Sequence, residues 1–466
     1  MRDAAYATLT DADRQTGHRL AAEWLLSVGE TNAVALAEHF ERGGDRKHAA
    51  RFWERAAEQS TEGNDLVRTI DLATRGLACE PDPASAAHLH VLRSEAHRWR
   101  AELAQARSDA TQAMECADES ASIWYQAVAQ LAYASISIGD LDAIVVLAER
   151  LCARRPKPED SEAYLVALSR VATSLTYGGH PDLAGRVYDK MDEALLLGLP
   201  SEGALARVRL AVALRALRLK DDTFTLACFG AALEVFERIG DRRGGMYVRV
   251  NLGVIQMELG DFERAERAFR EAIDAGVTTG VTSIAVGGRI NLGLVRAYLG
   301  AFDEGLALVR GAQAQYEKLG DDRMMGIART YAALVLLARG DAAASEVEAA
   351  AAAEALTAIA TSRADALGTR ARALLILGRP EEALACSSEA YGVLTDVGSV
   401  DDGDVRTRLA HIEALLATHR TAEGRTILRA TVERLELRAM NLRDPELRKL
   451  FLERVPENAR VMALGH

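Results

Sequence analysis

Six polar side chains stand at intervals that mark a shared surface. Arg209, Arg249, Arg289 and Arg329 follow one another every 40 residues, and Asn251 and Asn291 take the same 40-residue step two positions further on. A guanidinium presents a planar fork of N–H donors suited to two-point recognition of a carboxylate. A side-chain amide carries both donor and acceptor, so it pairs with a peptide unit in either sense. Each series also has an ordinary structural reading: the asparagines bonded to a neighbouring helix, the arginines paired with Glu or Asp of an adjacent one. Side chains two positions apart on a helix project about 200° from each other, so one groove takes one series and not both.

A constant step needs elements that hold each copy in the same orientation. Asn251-Leu252-Gly253 to Leu259-Gly260-Asp261-Phe262 recurs as Asn291-Leu292-Gly293 to Leu299-Gly300-Ala301-Phe302. With Gly260 and Gly300 as turns between two helices, the same position continues to Gly340 and Gly378. It runs back through Lys220, Gly179, Gly139 and Ala101 with a period of 38 to 41 residues. Weaker copies place turns near Gly44, Asn64 and His419, which gives about ten helical hairpins over nearly the whole chain.

Packing dictates which residues recur. Two helices approach to ~8–10 Å only where small side chains face each other. Seven residues before the turns stand Ala37, Ala57, Ser94, Ala132, Ala172, Ala213, Gly253, Gly293, Ala333 and Ala371, with Ile412 as the exception. Twelve residues after them stand Ala56, Gly76, Ala113, Ala232, Ala272, Ala312, Ala352, Ala390 and Thr431, interrupted by Leu151 and Met191. A third series, five after the turn, includes Ala49, Ala106, Ala184, Ala265, Gly305 and Ala383. Trp53, Tyr188, Phe229, Phe269 and Leu428, nine after the turn, supply the bulk that fills the space between hairpins. Second helices are expected to stop at Gly240, Gly280, Gly320 and Gly398, since a left-handed C-terminal residue carries no penalty when it lacks a Cβ. Prolines such as Pro81, Pro156, Pro181 and Pro380 fall between helices, and no strand-period alternation competes, so the chain reads as all-α.

Composition narrows the function. The 466 residues are 49% hydrophobic and 27% charged, which excludes a disordered chain. A net charge of −12 argues against nucleic acid and against anionic membrane surfaces as partners. The first fourteen residues lack the apolar core of a signal peptide, and no apolar run approaches the ~20 residues of a membrane span, so a cytoplasmic product is expected. Cys79, Cys116, Cys152, Cys228 and Cys386 form no zinc-spaced cluster and read as reduced core residues. His39 and His48, or His88 and His90, lack further ligands at metal spacing. Acidic pairs at Asp321-Asp322 and Asp401-Asp402 fall at turns, where they favour the start of the next helix. There is no GxxxxGK[ST] phosphate loop, kinase glycine loop, HRD or DFG, and no constellation identifies a catalytic pocket, so neither enzyme activity nor a cofactor or metal is expected.

Leu252, Gly253, Gly260, Phe262, Ala265, Phe269 and Ala272 together resemble the tetratricopeptide repeat, although the step of about 40 exceeds its usual 34. The resemblance implies a right-handed superhelical solenoid whose concave face, lined by the first helix of each hairpin, holds a peptide or partner protein. It also implies that the residue before the Leu-Gly pair, here Asn251 and Asn291, faces that groove. The ends are similar to segments of bacterial signalling ATPases in which a kinase or cyclase domain and an ATPase precede such repeats. Met1-Arg2-Asp3-Ala4-Ala5-Tyr6-Ala7-Thr8-Leu9 resembles their connecting segment. Ala35-Leu36-Ala37-Glu38-His39-Phe40 to Arg55-Ala56-Ala57-Glu58 resembles the first hairpin of their repeat domain, and Asp444-Pro445-Glu446-Leu447-Arg448 with Phe451 to Asn458 resembles their closing segment. The expected organisation is a connecting segment at 1–30, the solenoid at 31–435 and a cap at 436–466. The expected function is a non-enzymatic scaffold that serves as the sensing arm of such a regulator, either within it or as a stand-alone remnant. The alternative is the inducer-binding part of a transcriptional regulator, against which the few, charge-balanced residues after Arg434 speak.

Overall fold

The computed structural model describes residues 6, 8–196, 200–397 and 403–465, and among these the only regular elements are helices. Gly398 and the pair Asp401-Asp402 lie outside the described residues. Helices α1 (Asp11–Ser27) and α2 (Ala33–Arg42) lead into ten hairpins. The first five are α3 (Arg46–Glu62) with α4 (Leu66–Ala78), α5 (Pro83–Trp99) with α6 (Leu103–Cys116), α7 (Ser122–Ile138) with α8 (Leu141–Cys152), α9 (Ser161–Tyr177) with α10 (Pro181–Leu195), and α11 (Glu202–Arg218) with α12 (Asp222–Arg238). The next three are α13 (Arg242–Glu258) with α14 (Phe262–Thr279), α15 (Thr282–Tyr298) with α16 (Phe302–Leu319), and α17 (Asp322–Arg339) with α18 (Ala342–Ala355). The last two pair α19 (Ala360–Ile376) with α20 (Pro380–Val397) and α21 (Asp404–Ala417) with α22 (Thr421–Asn441). Two short helices, α23 (Pro445–Glu453) and α24 (Pro456–Gly465), close the chain.

Every turn position read from the repeat is left-handed. Gly44, Asn64, Ala101, Gly139, Gly179, Lys220, Gly260, Gly300, Gly340, Gly378 and His419 have φ between 58° and 91°. Ala101, Lys220 and His419 hold that conformation despite a cost of about 1–2 kcal/mol for a residue with a Cβ, so the turn is imposed by the packing of the two helices. The next residue closes it: the Asp261 and Ala301 N–H groups donate to the carbonyls of Gln256 and Arg296 at 2.9 and 2.8 Å. Where that residue is Asp, as at Asp45, Asp65, Asp140, Asp221, Asp261 and Asp341, its carboxylate also caps the second helix. Asp321 does the same at the start of α17.

The small-residue series are buried throughout, because they are where the helices touch. A Cβ on Gly253 would sit 2.6 Å from the Phe269 ring. One on Gly293 would sit 2.7 Å from the Gly305 carbonyl oxygen, and one on Gly305 would strike the Gly293 carbonyl in return. First helices then stack on first helices, α13 on α15, α15 on α17 and α17 on α19, which puts them on the inside of the superhelix.

The superhelix is wound tightly enough to close on itself, which departs from the expected extended, open face. Helix α5 touches α15, Asn64 donates to the Thr279 carbonyl at 2.9 Å, and Leu66, Trp99, Met246, Val281 and Ile284 form one apolar cluster across the seam. The C-terminal helices fold back likewise. Arg438 on α22 donates to both oxygens of Asp222 at 2.7 and 2.8 Å and to Glu258 at 2.7 Å. Arg454 bridges to Glu263, and Arg372 on α19 to Glu457 on α24 at 2.8 Å. Cys79 is buried as expected, but the other four cysteines are only half-buried, and all five are free. Among the described residues no helix is long and apolar enough to cross a membrane.

Four substitutions test these contacts. Gly305→Ala is expected to lower the stability measured by urea unfolding by about 1–3 kcal/mol, whereas Gly311→Ala on the same helix, with nothing within 4 Å of the added Cβ, should raise it by ~0.5–1 kcal/mol. Arg438→Met, which strands Asp222 at 2% exposure, should cost about 3–5 kcal/mol, and Arg434→Met at the more exposed neighbour far less, in the same assay.

Candidate functional site

Closure turns the inner face into a cavity of about 320 Å³. It is walled by first helices from α7 to α19: Tyr133, Tyr177, Tyr247, Asn251, Asn291, Arg323, Tyr331, Ser362 and Asp365 are among its lining residues. The two asparagines lie on this wall together. Asn251 is almost buried, and its Nδ2 donates to the Tyr247 carbonyl one turn earlier at 2.8 Å; Asn291 makes the same contact to Gly287 at 3.4 Å. One amide proton is spent on the helix itself, and each Nδ2 carries two.

The arginine series lies elsewhere. Arg249 pairs with Glu237 on α12 and stands 3.6 Å from Glu271 on α14. Arg289 donates to Gln315 on α16 at 3.3 Å, and Arg329 reaches Glu348 on α18 at 3.4 Å. Arg209 is half-buried near Cys228 on α12 and has no ion pair among the described residues. All four face second helices, as the 200° offset from the asparagines requires, and none lines the inner cavity.

Sequence reasoning missed most of the polar wall, although the same ruler finds it. Nine residues before the turns at Gly139, Gly179, Gly260, Gly300 and Gly340 stand Gln130, Arg170, Asn251, Asn291 and Tyr331, with Ala211 before Lys220 as the interruption. Asn251, Asn291 and Tyr331 line the cavity. Gln130 accepts a hydrogen bond from Arg98 at 2.9 Å, and Arg170 neighbours the cavity residues Tyr133 and Tyr247.

A second cavity of about 580 Å³ separates α9–α11 from the returning hairpin α21–α22. Its floor is apolar, with Ala184, Leu219, Val405 and Leu435, and its rim is cationic. Arg408 and Arg434 both pair with Asp404, and Arg215 lies over the Tyr188 ring at 4.6 Å.

The histidines without visible partners acquire them in the fold. Glu54 and Glu58, one turn apart on α3, come within 4.8 Å of His88 on α5. His88 Nδ1 is 2.7 Å from Glu54 and Nε2 3.4 Å from Glu58. A carboxylate at each nitrogen favours the imidazolium form, and a ring protonated at both nitrogens is a poor metal ligand. His90 likewise meets Asp109 at 2.8 Å.

Residues 247–275, within a single hairpin, match the tetratricopeptide-repeat family model. No curated protein matches the chain. Among solved structures, the chain is similar to a Rap protein complexed with Competence and Sporulation Factor, with a TM-score of 0.52 and 12% identity over 74% of this chain and 97% of that one. The fold is a tetratricopeptide-repeat superhelix. Aspartyl phosphate phosphatase F from Bacillus subtilis aligns with a TM-score of 0.45 and 12% identity over 76% of this chain and 96% of that one. Yeast Tom70 aligns with a TM-score of 0.34 and 14% identity over 97% and 96%.

Burial disfavours the charge on His88, but the Glu54 hydrogen bond and the charges of Glu54 and Glu58 outweigh it and lift its pKa above the ordinary imidazole value. A raised folded-state pKa contributes stability that is fully present below the unfolded value of about 6.5 and is lost as pH rises through the folded one. The thermal midpoint of the wild type should therefore exceed that of His88→Gln at pH 6, and the gap should shrink by pH 8; a gap independent of pH would leave the ion pair without support.

Proposed function

We propose that this superhelix is a non-enzymatic scaffold that holds an extended peptide or protein segment in its inner cavity. The observation that carries this reading is the convergence of Asn251, Asn291 and Tyr331, one from each of three successive first helices, on one wall. Donor–acceptor side chains at a repeated spacing suit the repeated amides of an extended chain better than they suit a compact metabolite. Ion pairs at Arg243–Glu95 and Arg438–Asp222 hold successive turns of the superhelix together, so a guest seated on the inner wall would bias it between a tighter and a looser winding. That is a population shift, and it is the output a regulatory arm needs.

The Rap protein in complex with Competence and Sporulation Factor provides a solved example of this fold holding a factor. From the resemblance of both chain ends to signalling ATPases we infer that the scaffold serves a bacterial kinase or ATPase regulator, with 1–30 as the link, of which residues 1–5 and 7 lie outside the described residues, 31–435 as the sensing solenoid and 436–466 as its cap. The arginine series from Arg209 to Arg329 then has the supporting role of tying first to second helices, and the asparagines the role of contacting the guest.

The test is selection of peptides from a random library on the full chain, followed by fluorescence anisotropy with the enriched sequences. Asn251→Ala with Asn291→Ala is expected to weaken binding about tenfold or more while the helical signal and thermal midpoint hold. Undiminished binding by the folded double variant would remove the asparagines from the site.

A further inference from the structure

Where the superhelix closes, first helices of every second hairpin bring three arginines together: Arg98 on α5, Arg170 on α9 and Arg243 on α13. Arg98 is 5% exposed. Its guanidinium lies 4.0 Å from the Trp99 ring centre and 4.9 Å from that of Tyr133, and Nε donates to Gln130. Arg243 donates through Nη2 to the Thr61 carbonyl, and its Nη1 lies 3.4 Å from a Glu95 oxygen, an ion pair without a hydrogen bond. Arg170 has no hydrogen bond or ion pair among the described residues. The one carboxylate in the cluster is Glu95, which also accepts from the Trp99 indole at 3.2 Å. Arg207, the next cation, is matched by Asp241 at 2.9 Å.

One buried guanidinium, that of Arg98, and two half-buried ones, those of Arg170 and Arg243, therefore share one carboxylate. Burial and the neighbouring Arg170 push Arg98 down to about 10, and burial lowers Arg170 as well. Even so, both stay charged at neutral pH, because guanidinium cannot shed its proton there. An unmatched charge held out of water is costly, and removing a nearby like charge relieves it. A ligand anion relieves it equally. Tyr133 and Tyr247, which border the cluster, also line the inner cavity.

We propose that Arg98, Arg170 and Arg243 form an oxyanion subsite at the end of the inner cavity, taking a phosphoryl or carboxylate group. The forks of three arginines offer more donors than one carboxylate such as Glu95 can use, and planar forks fit the tetrahedral or trigonal oxygens of these groups two at a time. The subsite extends the reading of the cavity as a binding channel, since the group sits either on the guest segment or free in solution. Arg170 is the residue whose role is least structural, because it makes no hydrogen bond or ion pair among the described residues.

The probe is inorganic phosphate, titrated into the full chain at constant ionic strength with chloride as the compensating salt, with the thermal midpoint as readout. The wild type is expected to show a saturable rise, and citrate should reproduce it for a carboxylate. Arg170→Gln should match or exceed the wild-type midpoint in chloride, because a self-repelling charge is gone, yet bind phosphate roughly ten- to a hundredfold more weakly. If that variant does not fold, Arg170→Lys takes its place: weaker phosphate binding supports the fork, and unchanged binding overturns it. No saturable response to either anion, or the same response in the folded Arg170→Gln, overturns the subsite. A second arm compares library-selected peptides bearing a free terminal carboxylate with their amides. Loss of affinity on amidation assigns the oxyanion to the guest's end, and equal affinity with a phosphate response assigns it to a free ion. Because the phosphate arm needs no peptide, failure of peptide selection and failure of the subsite are separate results.

Discussion

Two helices of a hairpin can touch only where one of them lacks bulk, and the whole architecture follows from that restriction. At Gly253 the space that a Cβ would take is filled by the Phe269 ring, and at Gly293 and Gly305 two backbones meet directly. Contact at this distance fixes the crossing of the pair, and the crossing fixes the left-handed residue that joins them, even where it is Ala101 or Lys220. Once the turn is fixed, so is the direction in which a residue nine positions earlier points. Chemistry written at a 40-residue step in the chain is thereby delivered to one wall in space.

That wall becomes a cavity because the superhelix returns to itself. The seam between α5 and α15 is apolar at its centre, with Trp99 and Met246, and polar at its edges, with Asn64 and Arg243. The second return, of α22 to α12 and α13, rests on Arg438 and its two carboxylates. Buried ion pairs of this kind contribute little net stability compared with apolar packing, but they are costly to break by halves.

The hairpins were legible in the chain because their constraints are local and repeated. A left-handed turn followed by a capping Asp, small residues at fixed distances and bulk at Phe269 and Tyr188 each recur often enough to be recognised without neighbours. The inner wall was legible only where the residue type also recurred. Asn251 and Asn291 stood out as identical, whereas Gln130, Arg170 and Tyr331 occupy the same register with different chemistry and give no signal by type. Contacts across the seam left no trace, since Asp222 and Arg438 or Glu95 and Arg243 are joined by the number of hairpins in a turn of the superhelix, which no local pattern encodes. The same holds for His88, whose carboxylates come from α3, and for the tightness of winding that brings α5 against α15.

Charge shows most clearly why the bulk composition says little about the interior. The chain carries a net −12, and on that ground a polyanion is a poor partner for its outer surface. Inside, Arg98, Arg170 and Arg243 outnumber Glu95, in a setting where water screens less and each charge acts more strongly. The two signs operate at different distances. Beyond a Debye length of about 10 Å at 0.1 M salt the field of the acidic surface is largely screened by ions. A single oxyanion, small enough to enter between the tyrosines, leaves that field behind and meets unscreened guanidinium at contact. Selectivity for a compact anionic group over a long one then follows from where the arginines lie, not from how many the chain contains.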